Sequence, residues 1–393
     1  MDNDFLRRTW VEVSLDNLTF NYQQIRAALP EGTRFLGVVK ADAYGHGAVA
    51  VARHLETLGA EYLAVSNLEE ATQLRKGAIS LPILMLGYTS AKFAVYEAAI
   101  DIRQEVNDIT YARKLNAALQ GSGKKLKIHL KVDTGMSRLG FFAYDRPETI
   151  DEIAEIAALP NLEIEGTFHH FCIADTYDPE AQAFTRLQQE RFLALLDKMR
   201  ERGIDPGIRH ACNSAALLMY PEFAMDMVRP GIITYGLAPS PELDGKMPLR
   251  PLLCWRTAIS QIKDFPAGIS VSYGRRWSTP SPRKIAVVPV GYADGLYRGL
   301  SGRLKFLLGG KPVPQVGRIC MDMCMIDVTD FPDARVGATV TLLGFDGDAV
   351  CRCEDMAAAA DTIPYEITCN ISKRVSRLFI QNGKQIDSLH YIV

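Results

Sequence analysis

Over roughly the first 240 residues, short apolar runs alternate with longer stretches of helical periodicity. The runs at 35–40, 62–66, 82–86, 101–106, 126–131, 162–168, 208–212 and 232–236 predict strands. Helical patterns lie near 46–58, 67–77, 91–99, 108–120, 146–158, 179–202 and 214–220, and another near 15–28 precedes the first run. Strands that alternate with helices imply parallel βα units. Eight units in this length match a (β/α)8 (TIM) barrel, whereas an open doubly wound sheet usually has fewer strands. After Pro239-Ser240-Pro241 the texture changes, and the proline-rich segment 239–251 reads as a linker. Beyond it, Lys284–Gly291, Val316–Val328 and Ala338–Gly344 read as strands between Gly, Pro and Asp turns. The pattern thus predicts a barrel over 1–243 followed by a smaller, mainly β domain over 244–393.

Composition narrows the function classes. The length of 393 residues suits two domains. A net charge of −2 points to neither nucleic acid nor a membrane surface. The start, Met1 to Arg8, is polar and has no apolar core of a signal peptide, and no apolar run is long enough to span a bilayer. Eight cysteines in a chain this long do not make a disulfide scaffold. Neither Cys351/Cys353 nor Cys320/Cys324 has the second half of a zinc site, so no metal is expected. These features suggest a cytoplasmic protein with reduced thiols.

Candidate chemistry begins at Lys40. An apolar run enters this lysine directly, and a turn with two glycines follows. Burial at a strand end disfavours the ammonium, and a neutral amine can form a Schiff base with pyridoxal phosphate. A lysine that snorkels to solvent is the plainer alternative. Gly45, Gly47 and Ala50 also fit a dinucleotide fingerprint, but they stand too far beyond the strand, with no clear ribose-binding acid. In a barrel, chemistry gathers at the C-terminal strand ends. Lys131 and Arg138 follow the fifth run, His169 and His170 the sixth, and Asn213-Ser214 the seventh, with Arg229-Pro-Gly231-Ile232 near the eighth. Asn213 and Ser214 look like a helix N-cap, and Gly231 allows close backbone approach. Arg138 suits bidentate recognition of a carboxylate.

Val39-Lys40-Ala41-Asp42-Ala43-Tyr44-Gly45-His46-Gly47 closely resembles the cofactor-lysine motif of alanine racemases, which are fold-type III pyridoxal-phosphate enzymes. Asn213-Ser-Ala-Ala, Met227-Val-Arg229, Val271-Ser-Tyr273-Gly, Gly291-Tyr292-Ala-Asp294-Gly, Val316-Gly-Arg318-Ile-Cys-Met321-Asp and Tyr365-Glu366 also match, in the family's order, from about residue 7 to 380. The resemblance implies that Lys40 carries the cofactor and that Lys40 and Tyr273 are acid/base groups on opposite faces of the substrate. It implies that Tyr44, Ser214, Tyr365 and the amides of Gly231 and Ile232 hold the phosphate. His170 would stack on the ring, although the family commonly has threonine where this chain has His169. Arg229 would face the ring nitrogen. Because a guanidinium cannot accept a proton, that nitrogen would stay unprotonated. Arg138, Lys131, Met321 and Tyr292 would form the substrate end and its entryway. In several family members the lysine matching Lys131 is carbamylated.

The implied activity is interconversion of L- and D-alanine, supplying D-alanine for peptidoglycan, in a head-to-tail homodimer with shared active sites. A racemase of serine or another small amino acid would share every motif. A fold-type III decarboxylase should carry an acid where this chain has Arg229. A non-catalytic pyridoxal-phosphate carrier should lack the second domain with Tyr273.

Overall fold

The computed structural model describes residues 8–392 and divides the chain into two compact units. One comprises Thr19–Ala43 and Ala48–Leu249; the other comprises the segment up to Leu18, Tyr44–Gly47 and Arg250 onward.

The first unit is a closed barrel. Its eight parallel strands are Arg34–Val38, Tyr62–Val65, Ile83–Met85, Ile102–Val106, Leu126–Asp133, Leu162–Phe168, Ile208–His210 and Met227–Val228. Each pairs with its neighbour, and Met227 closes the ring by lying opposite both Arg34 and His210. The eighth strand therefore differs from the apolar run at 232–236. Pro230 has no N–H for a ladder, and Ile232–Tyr235 forms a 3-10 turn that ends at Gly236, φ +81°. Around the ring the helices bury one apolar face. In Ala48–Leu58, for example, the buried positions are Ala48, Val51, Ala52 and Leu55, spaced for one helical stripe. Their starts are chemically marked. Asn67 accepts from Glu70 N–H at 2.9 Å, Asp108 from Tyr111 at 2.8 Å and Asp178 from Ala181 at 2.9 Å.

The second unit centres on an eleven-stranded sheet. Thr9–Ser14 lies inside it, antiparallel to Leu253–Ala258 and parallel to Ser376–Gln381. Its alternation buries Val11 and Val13, and Trp255 donates to Thr9 Oγ1 at 2.9 Å. The expected single run at Val316–Val328 is two strands, Lys311–Val316 and Cys324–Asp327. Gly317, at φ +67°, breaks the extended path, and a turn carrying Met321 intervenes. The polar start at 1–7 lies outside the described residues. Among the described residues no helix is long and apolar enough to cross a membrane.

Candidate active site

Within the barrel unit, parallel strands deliver the expected residues to one rim. Lys40 follows the first strand, Lys131 lies near the end of the fifth, and Arg138 stands in the loop beyond it. His169 and His170 follow the sixth strand, Ser214 the seventh, and Arg229 directly follows the eighth.

Lys40 is half-buried and opens an uncommon turn. Ala41, Asp42 and Ala43 have φ/ψ near +51/+47°, +56/+45° and +54/+50°, and Tyr44 has φ +53°. This is a left-handed helical turn of four non-glycine residues, a conformation L-residues seldom adopt in succession. Two carboxylates hold it: Glu70 accepts from Ala41 N–H at 2.8 Å, and Asp42 accepts from Ala48 N–H at 2.9 Å. The glycines that follow serve close packing in the β-rich unit. A Cβ on Gly45 would stand 2.1 Å from Thr368 O, and one on Gly47 would stand 2.7 Å from the Phe379 ring. The Gly45 carbonyl accepts from buried Arg377 at 3.0 Å.

Arg229 is buried without a carboxylate partner. Nη1 donates to His210 O at 2.8 Å and Nη2 to His169 O at 2.7 Å and Ala211 O at 2.9 Å. Burial lowers its pKa to about 10, which still leaves it protonated at neutral pH. Its Nε–H has no acceptor among the described residues. Arg229 also fixes a chain of neutral imidazoles. Arginine can only donate, so His210 Nδ1, 3.0 Å from Nη1, accepts. His210 Nε2–H then donates to His129 Nδ1 at 2.8 Å, and His129 Nε2–H points to Glu165 at 3.3 Å. Burial keeps both imidazoles neutral. Glu165 is held far below the usual carboxylate range by His129, Arg103 and Lys127, despite its desolvation.

The His169–His170 doublet separates by environment. His169 is fully buried, with Nδ1 3.0 Å from Thr134 Oγ1 and Nε2 3.4 Å from Gln189. His170 is half-buried, with Nδ1 3.3 Å from Arg229 Nη2, and Lys40 is among the cations that depress its pKa after burial itself. Ser214 Oγ accepts from Gly231 N–H at 2.8 Å, so that amide is already engaged while the hydroxyl hydrogen remains to be donated. Asn213 caps the Ser214–Met219 helix by accepting from Ala216 N–H at 2.9 Å. Ile232 begins the 3-10 turn after Gly231. Arg138 is exposed and has no hydrogen bond or ion pair among the described residues. Lys131 is buried and donates to Val132 O at 3.2 Å.

The β-rich unit carries the remaining candidates. The Tyr44 and Tyr365 rings lie 5.8 Å apart, and Tyr44 is buried. Tyr273 is 68% exposed, Met321 is 53% exposed, and Tyr292 is also exposed. Tyr292 and Asp294 form one short turn, in which Asp294 accepts from Gly291 N–H at 3.0 Å and pairs with Arg8. Sequence reading missed the His129–Glu165 chain and Glu105. Their signal was polar residues inside otherwise apolar strands, at Gln104-Glu105 and at His129. Among the described residues there is no cluster of side chains suited to a metal ion.

Whole-chain comparisons identify the family. The alanine racemase N-terminal domain family matches residues 13–239, and the alanine racemase C-terminal domain family matches 252–379. The chain is 41% identical to alanine racemase 2 of Caldanaerobacter subterraneus subsp. tengcongensis over 99% of each chain. It is 42% identical to alanine racemase 1 of Clostridium acetobutylicum, over 98% of this chain and 99% of that one. The solved alanine racemase of Clostridium difficile 630 superposes with a TM-score of 0.93 at 38% identity, covering 98% of this chain and 99% of that one. The Bacillus anthracis alanine racemase solved with bound L-Ala-P gives 0.92 at 36% identity, covering 98% of each. With two domain matches, whole-length identity and a barrel rim of this make-up, the chain belongs to the alanine racemase family.

Proposed function

We propose that this protein is a pyridoxal-phosphate-dependent alanine racemase that works as a cytoplasmic homodimer. The observation that carries the reading is the whole-length family match joined to a buried guanidinium, Arg229, that no carboxylate neutralises. The residues fit pyridoxal phosphate. The Ser214 hydroxyl in the barrel unit and the paired Tyr44 and Tyr365 in the β-rich unit are donors suited to a phosphate, and the Nε–H of Arg229 is a donor still to be used. When bound, this cofactor withdraws electrons from the Cα–H bond of an amino acid.

The chain's own groups then divide the work. Lys40 attaches the cofactor and exchanges the α-proton on one face. Tyr273 exchanges it on the other, since inversion needs an acid/base group on each side. Arg229 stays protonated and cannot take a further proton, so beside the ring nitrogen of a bound cofactor it would leave that nitrogen unprotonated. That would favour return of the proton to Cα over side reactions. The carbonyls of His169, His210 and Ala211 and the imidazole of His210 hold Arg229 in place. His170 would pack on the cofactor ring, while His169 is a core residue. Arg138 binds the substrate carboxylate with support from Lys131 and Met321, and Tyr292 lines the approach.

The exposure of Tyr273, Tyr292 and Met321 supports a partner subunit that covers them. In that dimer each site takes its lysine from one chain and its tyrosine from the other, and one twofold contact generates two sites. Purified protein should interconvert L- and D-alanine in a chiral assay, with L-serine as the competing substrate. Absence of turnover on alanine would overturn the reading. Mixing inactive Lys40→Ala and Tyr273→Phe subunits should restore roughly a quarter of the activity, because half the dimers are mixed and each has one intact site. No recovery after confirmed exchange would mean that each site lies within one chain.

A further inference from the structure

Four side chains that the barrel brings into line carry a direction. Glu165 Oε2 lies 3.3 Å from His129 Nε2, His129 Nδ1 lies 2.8 Å from His210 Nε2, and His210 Nδ1 lies 3.0 Å from Arg229 Nη1. Both rings are fully buried and held by what surrounds them. His210 stacks on Phe168 with centroids 4.7 Å apart and meets His129 edge-on at 5.0 Å. Gly166 makes room for the His129 ring, since a Cβ there would stand 2.6 Å from it. Each ring thus has one orientation but two neutral tautomers, and burial keeps both rings neutral.

We propose that Glu165 is a positioning residue for Arg229: as the acceptor-only end of this chain it sets the tautomer of His129, and through it that of His210, so that His210 offers Arg229 a lone pair. Its bearing on catalysis rests on the reading of Arg229 as the group that faces the cofactor ring nitrogen. Arg103 and Lys127 keep Glu165 ionised. A carboxylate only accepts and a guanidinium only donates, so one direction satisfies all three contacts, with hydrogen on Nε2 of each ring. Both ends require it, and Arg229 is the weaker end. Arg229 also donates to three backbone carbonyls at 2.7–2.9 Å, so a reversed His210 would remove one acceptor of several. A reversed His129 would turn a lone pair towards a carboxylate and lose a charge-assisted bond.

The surroundings of Glu165 dictate what an isosteric amide does there. Arg103 Nε faces Oε2 at 2.9 Å, whereas Arg103 Nη2 and Lys127 Nζ both face Oε1, at 3.3 and 3.0 Å. In Glu165→Gln the amide oxygen therefore takes the place with two donors, and the NH2 group takes the place beside His129. Tyr62, also next to Glu165, can donate or accept and sets no direction. His129 Nε2 must then accept, which moves its hydrogen to Nδ1. His210 Nε2 must accept in turn, and its hydrogen moves to Nδ1, against the N–H of Arg229.

The test is 15N NMR of the histidine-labelled holoenzyme without substrate, which separates ring nitrogens that carry hydrogen from those that do not. The chain has seven histidines, and single histidine variants assign the signals. At neutral pH the wild type should show hydrogen on Nε2 and none on Nδ1 for both His129 and His210. Glu165→Gln should show the reverse on both rings. Its kcat for alanine should fall roughly tenfold, the loss of about one hydrogen bond, with KM little changed. Hydrogen on Nδ1 of either ring in the wild type would overturn the inference, as would unchanged rings in a folded Glu165→Gln protein. Reversed rings with an unchanged kcat would refute the bearing on Arg229. Should that variant fail to fold, His129→Leu severs Glu165 from His210, and His210 should lose its single tautomer. An unchanged His210 there would mean that Arg229 alone sets the direction, against the part assigned to Glu165. The tautomers are read without turnover, so failure of the racemase reading is distinguishable from failure of this one.

Discussion

Glu97 offers a quantitative test of the interior of the barrel-bearing unit. It lies in the Ala94–Ala99 helix, fully buried, and neither oxygen has a hydrogen-bond partner among the described residues. Burial pushes its pKa from an ordinary 4.5 up to about 7. Below pH 4.5 the acid is neutral in both folded and unfolded chains and adds no penalty. Between 4.5 and 7 the unfolded chain gives up the proton while the folded chain keeps it, so stability falls as pH rises. Above 7 the penalty is constant. The difference of 2.5 (7 − 4.5) at 1.36 kcal/mol per pH unit amounts to about 3 kcal/mol. Glu97→Gln removes the titration but leaves a buried amide, a cost of about 1–3 kcal/mol that does not vary with pH. The informative quantity is therefore the melting-temperature difference between variant and wild type, measured by calorimetry at pH 5 and pH 8. It should be more favourable to the variant at pH 8 by roughly 5 °C, at about 2 °C per kcal/mol in a domain of this size. The same difference at both pH values would refute the reasoning and mean that the carboxyl has a partner or ionises freely.

Three further outcomes follow from the site. Borohydride reduction of the holoenzyme should fix the cofactor on Lys40, and peptide mapping that finds it on another lysine would dismiss that assignment. Tyr273→Phe should slow α-proton exchange from L-alanine by roughly a hundredfold or more, with much less effect on D-alanine; equal loss for both enantiomers, read as deuterium exchange, would dissociate Tyr273 from one face. Arg229→Glu should allow the ring nitrogen to protonate and raise pyruvate formation relative to racemisation. An unchanged ratio in a variant that still binds cofactor would contradict the electronic role.

Much of this architecture is readable from residue order, and the exceptions have physical causes. Seven barrel strands fall where the runs predict them, because parallel strands buried on both faces are mostly Val, Ile and Leu, although Ile102–Val106 buries Arg103, Gln104 and Glu105. The eighth is two residues long, too short to leave a periodic trace, and the richer apolar run at 232–236 is a turn instead. Thr9–Ser14 shows the period-two alternation of a strand, but its partners lie more than two hundred residues away, so its sheet cannot be inferred from its neighbours in sequence. Lys40, Ser214 and Arg229 are legible because motifs surround them. Glu105, His129 and Glu165 are not, since each looks like an isolated polar residue until strand register brings them into company. The doublet His169-His170 is ambiguous in sequence and resolves only through burial and the bonds to Thr134 and Gln189.

The left-handed turn after Lys40 bears on protein engineering. Each L-residue held in that hand costs roughly 1–2 kcal/mol relative to the right-handed form, so Ala41 to Tyr44 together store several kcal/mol. The nine-residue motif from Val39 to Gly47 does not contain everything that restrains it, because Glu70 comes from a separate helix. Grafted onto another scaffold without that helix, the motif would relax to a right-handed turn, and the lysine would leave its bearing although every letter of the motif was copied. A transplant that brings Asn67, which caps the helix, and Glu70 along with it would retain the handedness. Mirror-image alanine at positions 41 and 43, introduced by peptide ligation, would make the same turn the relaxed state.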